Sequence, residues 1–194
     1  MKPKLKTCKA KGCGNKFTPY SSIQTWCSTS CGYAISQAKE ASNKKKADKA
    51  FKQETVRRKK ALKSRSDWLR EAQAAFNAFI RQRDAKLPCI SCGALKSGKS
   101  YIGCGGVHAG HYRSVGANRE LRFEELNVNN QCAKCNATLS GNLINYRIGL
   151  IKKIGLEKVE WIEGPHEIQK LNIEQIKEIK ATYQKKLKEL QDNG

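Results

Sequence analysis

Eight of the nine cysteines in this 194-residue chain fall into two sets whose spacing suits zinc. The central set pairs Cys89-x2-Cys92 with Cys132-x2-Cys135. Each Cys-x-x-Cys knuckle presents two thiolates to one point, and two knuckles complete a tetrahedral site. The second set, Cys8-x4-Cys13 and Cys27-x3-Cys31, repeats that chemistry near the amino terminus. Four protein ligands leave no open position, so the two sets predict two structural Zn²⁺ ions whose binding energy is folding energy. Phe17, Tyr20 and Trp26 are expected to form the small apolar cap that the first set needs. Cys104 is the odd thiol, either free or standing in for a knuckle ligand.

The 39 residues between the central knuckles exceed ribbon spacing, so more than a turn is folded there. They hold His108, His111 and a dense run of asparagines. A finger made from Cys89, Cys92, His108 and His111 is the bland competitor. Its His-x2-His spacing is shorter than usual, and it strands Cys132 and Cys135. Cutting a phosphodiester would need a base to activate water and a cation to stabilise charge on the phosphate. Histidine titrates near neutrality and can be that base.

The insert resembles the HNH (His-Me finger) nuclease motif. There a histidine ends the first strand of a hairpin, an asparagine follows, and a metal-binding residue opens a helix after the second knuckle. His111, Asn127 and Asn136 take these places. The resemblance implies His111 as general base, Asn127 as the brace that orients it, and Asn136 as an oxygen ligand of a catalytic Mg²⁺ or Mn²⁺. Gly110 stands where the motif has an acidic or histidine ligand, and Asn136 replaces its final histidine. His108 is a substitute for the missing ligand, although strand alternation turns it away from His111. Arg113, Arg119 and Arg122 lie near enough in sequence to clamp phosphates.

The wider pattern, GHY…LRFEELN…QC-x-x-CN…LSGN behind a basic half, resembles the NinG (Rap) recombination proteins of lambdoid phages over essentially the whole chain. That resemblance implies a structure-specific endonuclease acting on Holliday junctions and D-loops. Its setting would be the cytoplasm of a bacterial host.

The rest of the chain must position this centre. Net charge is +21, and stays near +17 with two four-thiolate zinc sites. Residues 1–86 hold 22 basic and 6 acidic side chains, against 9 and 8 in residues 151–194. A polyanion is therefore expected at the amino-terminal half, and branched or duplex DNA is the partner predicted. The sequence MKPKLKTCKAKGCG lacks an apolar signal core, and no apolar run has the length of a membrane span. Knuckle spacing in a reducing cytosol favours metal over disulfides.

Residues 36–86 contain no proline or glycine and predict helix, with a fresh start at Ser66. Lys44, Lys45, Lys46, Arg57, Arg58, Lys59 and Lys60 are the DNA-contact candidates in that run. The stripe Trp68, Leu69, Ala72, Phe76, Phe79 and Ile80 is expected to pack against the zinc module. Ser100–Gly103 and Val107–Tyr112 read as hairpin strands, Asn136–Lys153 as helix, and Val159–Ile162 as strand or loop. Asn172 and Gln175 form a capping box for a last helix, whose stripe from Ile173 to Leu190 suits either core packing or a homodimer.

The prediction is an α+β protein with two small zinc-stabilised modules joined by a long basic helix. Its parts are a ribbon-like module at 1–35, a basic helical segment at 36–86, an HNH-like ββα module at 87–153 and a helical tail at 154–194. A non-catalytic DNA-binding recombination factor, with a degenerate central module, is the alternative. An RNA- or ribosome-binding zinc protein is the third reading.

Overall fold

The basic run forms a helix because it is rich in Ala, Lys, Gln and Glu and free of breakers. In the computed structural model, which describes residues 4–168 and 170–192, that helix is α1, Thr29–Ala61. Its 33 residues span about 50 Å at 1.5 Å each. Ser28 caps it, its hydroxyl accepting from the Cys31 amide at 3.3 Å. None of its residues is buried. A helix polar on every side lives on propensity and local pairs, here Glu54 with Arg57 and Arg58 at 2.8 Å each.

Two compact units divide at Leu62/Lys63. The first pairs β1, Lys6–Thr7, with β2, Lys16–Phe17, and runs into α1. Trp26 lies on Gly32, where a Cβ would stand 3.2 Å from the indole. Tyr20 does not join the expected cap; it is 82% exposed.

The second unit begins with α2, Arg65–Arg83. The expected restart in the helical run is present, and it falls at Ser64 rather than Ser66. Ser64 accepts from the Asp67 amide at 3.2 Å while Asp67 accepts from the Ser64 amide at 2.9 Å, closing a capping box. The α2 stripe packs chiefly on the last helix, α5, Ile173–Asp192, and also, as expected, on the central module through Ala109, Phe123 and Val128. Phe76 and Ile80 are fully buried with Val128 and Tyr183, and Trp68 and Ala72 lie against Ile176. Each fully buried Phe, Ile or Val among them contributes about 1.5–3 kcal/mol. The α5 stripe is thus covered by this chain's own α2, and the Asn172–Gln175 box closes at 2.8 and 2.9 Å.

Between α2 and α5 runs an antiparallel sheet in the order β3 (Lys96–Ser97), β4 (Ser100–Tyr101), β5 (Gly105–His111), β6 (Val128–Cys132). In the β5–β6 register His108 opposes Gln131, Gly110 opposes Asn129 and His111 opposes Val128. The predicted helix from Asn136 is broken. One π turn, Lys134–Thr138, begins inside the second knuckle and carries Cys135. Ser140, Gly141 and Asn142 then all take positive φ, and α3 starts only at Leu143, ending at Ile154. Val159–Ile162 is neither strand nor loop but part of α4, Leu156–Glu163, burying Val159 and Ile162 in the cluster of α3. Among the described residues no helix is long and apolar enough to cross a membrane.

A buried polar lock joins α2, β6 and α3. Asp84 accepts from Arg83 at 2.8 Å, Lys153 at 2.9 Å and the Asn130 amide at 3.1 Å. Burial alone would raise the Asp84 carboxyl, but the Arg83 guanidinium and the Lys153 ammonium outweigh it and hold the pKa below the usual range. Asp84→Ala leaves two cations without their counter-charge and should cost about 3–5 kcal/mol, read from urea denaturation. Because the folded pKa is depressed, this stability is present above the unfolded carboxyl pKa and lost as pH falls through the folded one. A wild-type-like unfolding midpoint would show that the network contributes nothing.

Candidate functional site

Both cysteine sets close. The sulfurs of Cys8, Cys13, Cys27 and Cys31 lie within 4.8 Å of one another, as do those of Cys89, Cys92, Cys132 and Cys135. A ZnS₄ tetrahedron with 2.3 Å bonds has edges of about 3.8 Å. The separations Cys13–Cys27, Cys27–Cys31 and Cys92–Cys132 are 3.6, 3.8 and 3.8 Å. N–H groups already point at the central sulfurs: Cys132 N donates to Cys89 Sγ and Cys135 N to Cys132 Sγ, both at 3.3 Å, and Asn142 Nδ2 donates to Cys135 Sγ at 3.4 Å. Such donors stabilise thiolates and orient metal ligands. Both sets therefore fit zinc. Cys104 and both histidines stand outside them, so the two-Cys, two-His finger is not what the fold builds.

Alternation along β5 sorts the remaining candidates. His111 faces α2, its ring 6.5 Å from that of Phe76. Its Nε2 lies 3.1 Å from the Arg122 carbonyl oxygen. A carbonyl can only accept, so Nε2 carries the proton and Nδ1 keeps its lone pair. Burial pushes the imidazole pKa below its usual range; the Arg122 carbonyl opposes this and the Arg122 charge adds to it. The ring is thus neutral at neutral pH, with one basic nitrogen.

Asn127 is fully engaged as a brace. Its Oδ1 accepts from the Arg113 amide at 2.8 Å, and its Nδ2 donates to the carbonyls of Arg113 at 3.0 Å and Leu121 at 3.1 Å. It closes the loop that carries the Arg122 carbonyl to His111.

Asn136 sits on the π turn directly after Cys135, and its Nδ2 donates to His108 Nδ1 at 2.9 Å. Alternation keeps His108 away from His111, yet places it beside Asn136. His111 and Asn136 share no hydrogen bond; they meet as walls of one open cleft of 500 Å³, with Arg113, Ser114 and Asn118.

Gly110 explains its own identity. A Cβ there would stand 2.3 Å from Gln131 Oε1 and 3.0 Å from Asn136 Oδ1. Two amide oxygens thus converge where the sequence lacks a ligand. Gln131 Nε2 donates to Ser91 Oγ at 2.7 Å and to the Gly141 carbonyl, whereas Oε1 is buried without a partner. Tyr146 fixes the strand from behind, donating to the Gly110 carbonyl at 2.8 Å. Sequence reasoning missed Gln131. Its only signal was a polar residue in the NVNNQC run, on the strand that had to pair with β5.

The basic candidates divide. Lys44, Lys45, Lys46, Arg57, Arg58, Lys59 and Lys60 are all exposed on α1. Arg113 donates to the Glu163 carbonyl at 3.3 Å, with its guanidinium 5.7 Å from the centre of the Tyr112 ring. Arg119 and Arg122 border a different cleft, one beside Arg65.

No solved structure matches this chain. Among curated proteins, Protein ninG of Escherichia phage lambda is 43% identical over 203 residues, covering 99% of this chain and 96% of the relative. Protein ninG of Salmonella phage P22 is 43% identical over 197 residues, 96% of this chain and 94% of that protein. The counterpart in Escherichia phage 933W is 41% identical over 203 residues, 99% of this chain and 96% of its own length. The family described as Bacteriophage Lambda NinG protein matches residues 1–193, and this chain belongs to the NinG family.

Proposed function

We propose that this chain is a metal-dependent endonuclease of phage recombination, cutting branched DNA such as Holliday junctions and D-loops. The observation that carries the reading is His111: a neutral, oriented imidazole with Nδ1 free, in one cleft with Asn136. Nδ1 would take a proton from a water attacking a phosphate in that cleft. The Arg122 carbonyl holds the ring tautomer, and Asn127 holds the loop that supplies the carbonyl.

The orphaned Gln131 Oε1 and Asn136 Oδ1, which converge over Gly110, are oxygens of the kind a hard divalent ion takes. Asn136 Oδ1 and Gln131 Oε1 would hold it, with His108 alongside. When bound, Mg²⁺ or Mn²⁺ would supply charge stabilisation on the phosphate and leaving oxygen.

One observation favours a second reading, a DNA-binding recombination factor without catalysis. No aspartate or glutamate lines the cleft among the described residues, so every protein donor to an ion there is neutral. Purified protein incubated with a four-way junction, a linear duplex and an RNA, with and without Mg²⁺ or Mn²⁺, separates the readings. Metal-dependent cleavage concentrated on the junction is expected. Tight junction binding without cleavage in either metal leaves the second reading, and preference for RNA over both DNAs removes both.

A further inference from the structure

A second cleft, of 630 Å³, opens between the start of α2, the loop after β5 and the segment leading into α5. Its walls carry Arg65, Arg119, Arg122 and Lys170, with Leu69 and Val115 supplying apolar floor. No acidic side chain lines it among the described residues, and none of the four cations belongs to an ion pair there. Glu120, Glu124 and Glu167 line a neighbouring cleft with Arg119 instead.

This arrangement is costly for the free protein. Burial, and then the charges of Arg65 and Arg119, push the Arg122 guanidinium below its ordinary value. Like charges gathered without a counter-ion are a standing site for a polyanion. Arg65 is also pre-positioned, its Nε donating to the Leu171 carbonyl at 2.9 Å, which leaves the rest of the fork free. Arg122 belongs to two sites at once: its side chain borders this cleft while its carbonyl accepts from His111.

We infer that the cleft of Arg65, Arg119, Arg122 and Lys170 seats consecutive phosphates of a DNA strand, a contact separate from the basic side chains of α1. Guanidinium forks match phosphate oxygens in pairs, and the cleft draws three of them and a lysine from three segments of the chain. The site also gives DNA a direct hold on the residue that orients His111.

The full chain is tested with Arg65→Gln/Arg119→Gln, and with Arg65→Lys/Arg119→Lys as the charge-keeping control. Removing one cation from a phosphate should lower the slope of log affinity against log salt by roughly 1. The glutamine pair should therefore flatten it by roughly 2 and weaken junction binding about tenfold or more at low salt. The lysine pair should keep the slope. Arginine Nε–H NMR signals of the unmodified protein give a readout that no variant's folding can spoil. Those of Arg65, Arg119 and Arg122 should shift on adding a short oligothymidylate. An unchanged slope in the folded glutamine pair overturns the proposal. Shifts with inorganic tripolyphosphate but none with DNA overturn DNA as the occupant. The inference does not rest on cleavage: a protein that binds through this cleft and cuts nothing fails only the nuclease reading.

Discussion

His111→Ala should lower metal-dependent junction cleavage by roughly 10²-fold or more, the usual contribution of a positioned acid–base group. Zinc content and junction binding should stay near wild type, since His111 is outside both sulfur clusters and its ring is half-buried against Phe76. The alanine variant leaves a small void beside Phe76, so His111→Asn serves as the better-filled companion. Both should be equally inactive if the imidazole acts as base. The pH dependence carries the same signature. The imidazole pKa is pushed down, so cleavage should already be on its plateau at neutral pH and fall only as pH drops through that lowered value. The stability sign runs the same way: the unfolded chain takes the proton first on acidification, so folding loses stability as pH falls below the unfolded histidine range. Full cleavage by a folded His111→Ala protein would remove the enzyme assignment from this cleft and put the binding-factor reading ahead.

What could be read in the sequence was whatever local chemistry fixes alone. Cysteine spacing identifies both sulfur clusters because thiolates have few other uses at that spacing, and the Asn172–Gln175 box closes because both partners sit within one turn. The split of the long helix was half legible. Ser64 and Asp67 are three residues apart, but Ser66 offers the same residue type two positions later, and only the geometry chooses. The break at Ser140–Asn142 had a local signal, since Gly141 weakens a helix and Ser and Asn favour turns and caps, but the helical periodicity from Leu139 onward masked it; the Gln131–Gly141 bond and the Asn142–Cys135 bond hold the turn open. Gln131 itself could not be found from its own neighbours. Its meaning comes from the register that sets it across from His108, and from the absence of a side chain at Gly110. The same register reassigns Asn136, which the resemblance linked to His111 and the structure bonds to His108.

Cys132→Ser should do more damage than any other single change. Its sulfur is fully buried, accepts from the Cys135 amide at 3.3 Å and stands 3.8 Å from that of Cys92. Structural zinc in small modules binds with about 10–16 kcal/mol of apparent free energy. That matches or exceeds the roughly 5–15 kcal/mol that holds a typical domain folded. The metal's loss is therefore a loss of fold. The consequence runs along the chain: Cys132 ends β6, the π turn that follows carries Asn136, and Asn142 bonds the Cys135 sulfur as α3 begins. Zinc per chain should fall from two equivalents to one, because the Cys8 cluster belongs to a separate compact unit with its own four sulfurs. Far-UV ellipticity should keep the α1 contribution while the cooperative unfolding of the second unit disappears and cleavage with it. Cys104→Ser is the control that separates zinc loss from thiol loss. Cys104 lies beside the central cluster but outside it, so that variant should retain both ions and the wild-type melting point. Two zinc equivalents in a folded Cys132→Ser protein would mean that the central sulfurs do not form a metal site, and one in the unmodified chain would mean that one of the two sulfur sets holds no metal.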